Sequence, residues 1–440
     1  MSALARYFVA NGKTVAGYDL TPSAVTDGLQ ELGVEIHFTE DISKIPPAFT
    51  RKEDTLIVRT PAVPESHAEY QYFLKNSFPI HKRSEVLGLL FNHNRGMAVA
   101  GTHGKTSVSS MLSYIMHTSE SGCTAFLGGI LKNIDNNFIL NRESPWVVAE
   151  ADEYDRSFLR LTPEITLVTW VDADHLDIYS SKKDIEKAFN EFIHQTREGG
   201  VVILKKGLPL ATDRLSCRQY TYAMKDEEAD FYAKNLVVEN GRYVFDLVTP
   251  KEEIAGIRLQ VIGITNVENA VAAASMAWTA GVNASAIREA LSGFMGVRRR
   301  FDIQVDKGKR MYIDDYAHHP RELDAVIGSL RELFPGRRIT GIFQPHLFTR
   351  TRDFANEFAE SLSALDELLL LDIYPARELP IEGVSSKMIL DLVNLESREI
   401  CSKEQLLERV KTKNPEILLT AGAGDIDRFV SPLKKLMETL

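Results

Sequence analysis

The stretch Gly101-Thr102-His103-Gly104-Lys105-Thr106-Ser107 follows a short apolar run, Met97 to Ala100. It leads into a segment with Val108, Met111, Leu112 and Ile115 at helical spacing. A strand, a glycine turn and a helix start make an anion site, because backbone N–H groups at the turn and the helix N-terminus point at phosphate. Lys105 would reach the terminal phosphates of a nucleotide, and Thr106 would offer its hydroxyl to Mg2+. Gly-Lys-Thr alone is a common accident. Val99 stands where the usual phosphate loop has its first glycine, which leaves the shorter Gly-Thr-x-Gly-Lys-Thr.

Charged groups recur at the ends of later apolar runs. Trp146 to Glu150 closes in Glu150-Ala-Asp152-Glu153-Tyr-Asp155, and four carboxylates in six residues suggest a Mg2+ site. Mg2+ wants oxygen ligands and takes few from protein. Ile165 to Val171 is followed by Asp172-Ala-Asp174-His175-Leu-Asp177, at the ligand edge of an α/β sheet. Arg298-Arg299-Arg300 reads as a solvated patch, or as a source of the bidentate guanidinium that a transferring phosphoryl group needs. Asp315 with His318 and His319 precedes Pro320, which suits a first helical turn, so either histidine could cap or pack. Neither a Cys nor a third His stands nearby to complete a zinc site. Asn266 and Asn269 open an Ala-rich helix, and capping would explain one of them. Asp19 ends an early strand, where an acid faces a ribose or caps a helix.

The elements that must position these groups alternate between strand and helix. Residues 1–92 read as small α/β units, with strands at Thr14–Tyr18 and Thr55–Arg59. Residues 93–298 carry the nucleotide loop, a packing helix from Asp184 to Thr196, a strand at 201–204 and antiparallel β over 205–260. Residues 299–440 begin with a strand at 311–313. Leu323, Val326, Ile327, Leu330 and Leu333 then trace one buried helical stripe. The fold class is α/β in three domains, 1–92, 93–298 and 299–440. A chain of 440 residues exceeds one ordinary core. Hydrophobic content of 44% and charged content of 25% fit a soluble globular protein. Cys123, Cys217 and Cys401 have no metal spacing and point to a reducing, cytoplasmic setting. No run is long enough to insert in a membrane. A net charge of −10 argues against nucleic acid as a partner and requires any anion site to be locally basic.

Gly101-Thr-His-Gly-Lys-Thr106 resembles the ATP loop of the Mur ligases, which build the peptidoglycan precursor, and the resemblance extends over essentially the whole chain. Asp-x-Asp-His, Asp-Asp-Tyr-x-His-His-Pro and Gln344-Pro-His346 resemble the alanine-adding branch of that family. The resemblance implies a Rossmann-like first domain, a P-loop-type central sheet and a Rossmann-like third domain. It implies UDP-N-acetylmuramate and L-alanine as substrates, ATP and Mg2+ as cofactors, and a monomer or weak dimer. Glu150 with Thr106 would hold one metal and His175 a second, Asn266 or Asn269 would reach adenine, and Arg300 the phosphate. Asp315 and His318 would face ATP across the domain cleft. His346 and Arg350 would face the muramyl and amino-acid end, and Asp19 the UDP. Members carry a Gly-rich turn before a Met-Ser-Ala-Leu-Ala-like segment. The start at Met1 therefore leads us to expect the first strand and that turn, which would hold the UDP pyrophosphate, to be missing. Trp170, Thr265 and Leu347 stand where the family has Asn, His and Arg.

The implied reaction joins a carboxylate to an amine. A carboxylate is a poor electrophile, so ATP converts it to an acyl phosphate, with Lys105, Arg300 and the metals offsetting charge. The amine must attack in its neutral form, and His346 would orient or deprotonate it. The recycling ligase that adds a whole tripeptide and a non-catalytic nucleotide-binding homologue are the alternatives.

Overall fold

A computed structural model describes residues 1–172, 179, 181–213, 215–376 and 378–440. His175 and the rest of 173–178 lie outside the described residues. Near the N-terminus β1 (Ala16–Tyr18) pairs in parallel with β2 (Glu35–His37), and β3 (Ile57–Arg59) with β4 (Ile80–Lys82). The central region supplies β5 (Arg95–Ala100), β6 (Thr124–Leu131), β7 (Asn136–Ile139), β8 (Trp146–Ala151) and β9 (Ile165–Val168). It continues with β10 (Val201–Lys205), β11 (Arg218–Ala223), β12 (Phe231–Glu239), β13 (Arg242–Val248) and β14 (Glu253–Arg258). The last region supplies β15 (Asp302–Lys307), β16 (Arg310–Asp315), β17 (Ile339–Phe343), β18 (Glu367–Leu370), β19 (Ser397–Ile400) and β20 (Ile417–Ala421).

Strands β5 to β14 form one ten-stranded sheet in the order β14-β13-β12-β11-β10-β9-β5-β8-β6-β7. Every residue of β5 after Arg95 is buried, as in a parallel sheet covered on both faces. Met97 and Val99 enter one core, while Ala98 and Ala100 enter the other. Ala100 is in register with Ala151 of β8 and Val168 of β9. Gly101, Asp152 and Thr169 therefore leave the sheet side by side. The six-stranded sheet β15-β16-β20-β17-β18-β19 repeats the device. Asp315, Ala421 and Phe343 are in register, so the segments beginning at Tyr316, Gly422 and Gln344 emerge together.

The helix Lys105–Thr118 buries Val108, Met111, Leu112 and Ile115, the stripe expected from periodicity. It packs on the helix Ile264–Thr279, where a run from Ala270 to Ala277 lets the two axes approach. The helix Pro320–Leu333 buries Leu323, Val326, Ile327, Leu330 and Leu333. Each such aliphatic side chain contributes roughly 1.5–3 kcal/mol on burial. Antiparallel pairing is confined to β12–β14 within 205–260: β11 runs parallel to both β10 and β12. The cap of Ile264–Thr279 is Gly263, at φ +99°, and neither Asn266 nor Asn269. Asn266 lies too far inside the helix to cap, and its Nδ2 donates back to Ile262 O at 2.8 Å.

Candidate active site

After β5 the chain reverses through Gly101 (φ +132°) and Gly104 (φ +82°), both in the region that favours glycine. A Cβ at Gly101 would lie 2.0 Å from Thr169 Oγ1, and one at Gly104 would lie 3.0 Å from Asn269 Oδ1. Thr102 N donates to Trp170 O at 2.9 Å, which ties the loop to the end of β9. The helix that begins at Lys105 has no side-chain cap, and Ser107 is half-buried in its first turn. Uncapped amides behind a glycine turn form a cradle for phosphate oxygens.

Lys105 Nζ donates to Gly101 O at 2.7 Å and to both oxygens of Glu153 at 2.9 and 2.7 Å. Burial opposes its charge, and the Glu153 and Asp152 carboxylates overcome that, so its pKa lies above the ordinary lysine value. Glu153 is fully buried. It is delivered there by a turn that holds Asp155 and Arg156 at φ +50° and +58°, a backbone strain of about 1 kcal/mol or more per residue. Four carboxylates close together in sequence gave no signal that Glu153 would take the lysine.

Glu150, on β8, accepts from Thr106 Oγ1 at 3.1 Å, Ser109 Oγ at 3.3 Å and Gly128 N at 2.6 Å. A Cβ at Gly128 would fall 2.6 Å from Glu150 Oε1, so the strand leaves space for that carboxylate. A hydroxyl and a carboxylate in contact beside the cradle are a hard oxygen pair that fits Mg2+, which fills its remaining positions with phosphate and water. Among the described residues no cluster of three His, Cys, Asp or Glu side chains could hold a metal by itself. His103 Nε2 lies 3.4 Å from Asp172 Oδ2, and Asp172 also pairs with Arg321 at 2.8 Å. Asn269 Nδ2 donates to Asn266 Oδ1 at 3.3 Å, so Asn266 supports Asn269, whose carboxamide faces Gly104.

The three arginines diverge. Arg298 pairs with Asp135 on the surface. Arg299 bonds Asp314 Oδ2 at 3.2 Å and Gly422 O at 2.6 Å. Arg300 lies with its guanidinium 5.0 Å from the Tyr316 ring centroid. Arg299 and Phe301, on either side of it, have φ of +64° and +46°. Asp315 fixes that turn by accepting from Phe301 N at 2.6 Å, and it also accepts from Ala317 N at 2.7 Å. Burial pushes the Asp315 carboxyl up to about 7, with Arg300 acting against it.

His318 Nδ1 lies 2.9 Å from Tyr316 O, which only accepts, so that nitrogen carries the proton. Burial lowers the His318 pKa, with Glu322 opposing, and the ring is neutral at pH 7. The His319 residue caps Pro320–Leu333, with Glu322 reaching back to its amide at 3.2 Å. The His318 and His346 rings are 5.9 Å apart, and His346 stacks on Tyr374 at 5.9 Å. Arg350 Nη1 lies 3.5 Å from His346 Nδ1. Leu347, at φ +71°, turns the chain there. Gln344 is fully buried and braces this end, donating to Asp425 Oδ1 at 2.8 Å and accepting from Ile426 N at 2.9 Å. Asp19 is exposed at the end of β1 and accepts from Thr21 N at 3.2 Å. Beside it, His37 Nε2 lies 3.4 Å from Glu69 Oε2, and the Tyr18 and His67 rings are 4.5 Å apart. Sequence reasoning missed this group, because His37 at the end of a three-residue strand and His67 just before a helix are isolated histidines that carry no spacing.

Three family models match in succession: the Mur ligase family, catalytic domain, over residues 1–95; the Mur ligase middle domain over 99–277; and the Mur ligase, glutamate ligase domain over 299–424. The UDP-N-acetylmuramate–L-alanine ligase of Parabacteroides distasonis is 49% identical over 99% of this chain and 95% of its own. That of Cytophaga hutchinsonii is 45% identical over 100% and 94%. The crystal structure of UDP-N-acetylmuramate–alanine ligase from Thermotoga maritima superposes with a TM-score of 0.83 at 25% identity, covering 100% of this chain and 96% of that one. A murein peptide ligase from Psychrobacter arcticus shares the fold, with a TM-score of 0.71 at 20% identity.

Proposed function

The chain belongs to the Mur ligase family, and we infer that it is the ATP-dependent ligase joining the lactyl carboxylate of UDP-N-acetylmuramate to L-alanine, releasing ADP. The observation that carries the chemistry is the register of β5, β8 and β9, which gathers the glycine turn, Lys105, Thr106 and Glu150 at one sheet edge. The loop amides and Lys105 bind the β- and γ-phosphates. Arg300 offsets charge on the phosphoryl group passing to the carboxylate, which becomes an acyl phosphate. Thr106 and Glu150 would hold Mg2+, which when bound draws charge from the phosphate oxygens. His346, with Arg350 and neutral His318 beside it, receives the amino acid and orients its amine. The uncharged amine attacks the acyl carbon, the C–O bond to phosphate breaks and inorganic phosphate leaves, and a neutral imidazole can take the proton that amide formation releases.

The division 1–92, 93–298 and 299–440 assigns UDP-sugar, nucleotide and amino-acid binding to successive domains. The spans of the three family matches support it. Among the described residues no helix is long and apolar enough to cross a membrane.

The test is ADP release by the full chain with ATP, Mg2+, UDP-N-acetylmuramate and either L-alanine or the tripeptide. Turnover with L-alanine, abolished in Lys105→Ala with the circular dichroism unchanged, is expected. Preference for the tripeptide, or near-normal turnover by the variant, overturns the reading.

A further inference from the structure

Trp170 leaves the sheet two residues past the end of β9, and its carbonyl accepts from Thr102 of the phosphate loop. It is 39% exposed, although the strand behind it is wholly buried. Lys205 is the last residue of β10, and the register of Val168 with Leu204 brings it alongside. Its Nζ sits 2.9 Å from the indole centroid and 2.9 Å from Glu268 Oε2. Glu268 precedes Asn269, whose carboxamide faces Gly104. The indole is thus held on one side by a cation, and that cation is held by the helix bordering the phosphate loop.

A large aromatic ring left partly in water loses the benefit of burial. Fixing it with an ion pair spends side-chain freedom as well. Both costs are offset if a ligand completes the contact, because a ring already immobilised loses little entropy when something stacks on it. A triphosphate seated on the loop amides projects its nucleoside away from the loop. On the β9–β10 side the loop is tied through Thr102 to Trp170, which is 39% exposed. Building on the nucleotide reading above, we propose that the indole face opposite Lys205 stacks on the purine of the bound nucleotide, with Lys205 and Glu268 as positioning residues. Trp170 then sets nucleotide affinity and a preference for the larger purine ring, and it leaves the UDP-sugar and amino-acid ends alone.

The probe is ADP, titrated into the full chain without the other substrates and followed by tryptophan fluorescence and calorimetry. Wild-type protein is expected to show a saturable fluorescence change. Loss of base stacking weakens binding roughly 5- to 100-fold, so Trp170→Ala should bind ADP that much more weakly. Trp170→Phe should keep most of the affinity and lose the signal, which assigns the signal to this residue. In turnover, Trp170→Ala should raise the KM for ATP and leave the KM for UDP-N-acetylmuramate and L-alanine within about twofold, whereas loss of a structural residue would disturb all three. Wild-type affinity in Trp170→Ala, or a rise confined to the KM of the UDP-sugar, overturns the proposal while the ligase reading stands. Failure of the wild-type protein to bind ADP overturns both.

Discussion

Replacing Glu153 by Gln removes the charge that faces Lys105. The two groups are 2.7 Å apart at closest approach, and their side chains are 0% and 16% exposed. At an effective dielectric of 20, the attraction across 2.7 Å is about 6 kcal/mol before desolvation is subtracted. Deleting one partner of a buried pair costs about 3–5 kcal/mol, because the other charge stays behind uncompensated. Lys105 keeps Gly101 O as an acceptor and the field of Asp152, which places the expected loss at the lower end, about 3 kcal/mol. For a unit of 150–250 residues that corresponds to a fall of about 6–12 °C in melting temperature. Phosphate must compete with Glu153 for the same ammonium, so ATP should bind Glu153→Gln more tightly and raise its melting temperature by more than it raises that of the wild type. The assay is thermal unfolding with and without ATP for wild type, Glu153→Gln, Lys105→Met and the double variant. A coupling energy of about 2 kcal/mol or more between the two sites is expected. Additive effects, or weaker ATP binding by Glu153→Gln, would refute the reasoning.

Gly104→Ala should cost about 1–2 kcal/mol, because its φ of +82° is unfavourable for alanine and the new Cβ would press on Asn269 Oδ1 at 3.0 Å. It should also weaken ATP binding, and unchanged calorimetric affinity would contradict the cradle. Burial raises the carboxyls of Asp314 to about 6 and of Asp315 to about 7, each with an arginine opposing. The folded chain therefore holds protons that the unfolded chain releases above about pH 4. The contribution of these groups is most favourable at the acid end and falls as pH rises toward 7. Asp315→Asn should gain stability relative to wild type across that interval, and a melting-temperature difference that stays constant from pH 4.5 to 7.5 would show that Asp315 is ordinary.

Much of the site was legible because its chemistry is local. A glycine turn, a lysine and a threonine in consecutive positions need only a strand before them and a helix after them, and both were readable from apolar spacing. The stripe from Leu323 to Leu333 was equally plain, because helical periodicity repeats within a few residues. What the linear chain did not disclose are pairings made by sheet order. β9 and β5 are neighbours although β6, β7 and β8 separate them in sequence, and that crossover brings Trp170 onto the phosphate loop. Lys105 meets Glu153 across 48 residues because β5 and β8 end together, and nothing at either position foretells it. The parallel direction of β11 likewise depends on where the chain crosses over, since its alternating pattern fits either pairing. His318 faces His346 only because β16 and β17 flank β20 in register. Residue types and short spacings determined which chemistry the chain can do. Tertiary structure decided which charge each group meets, because that depends on strand neighbours, and neighbours in a sheet are set by the packing of the whole chain.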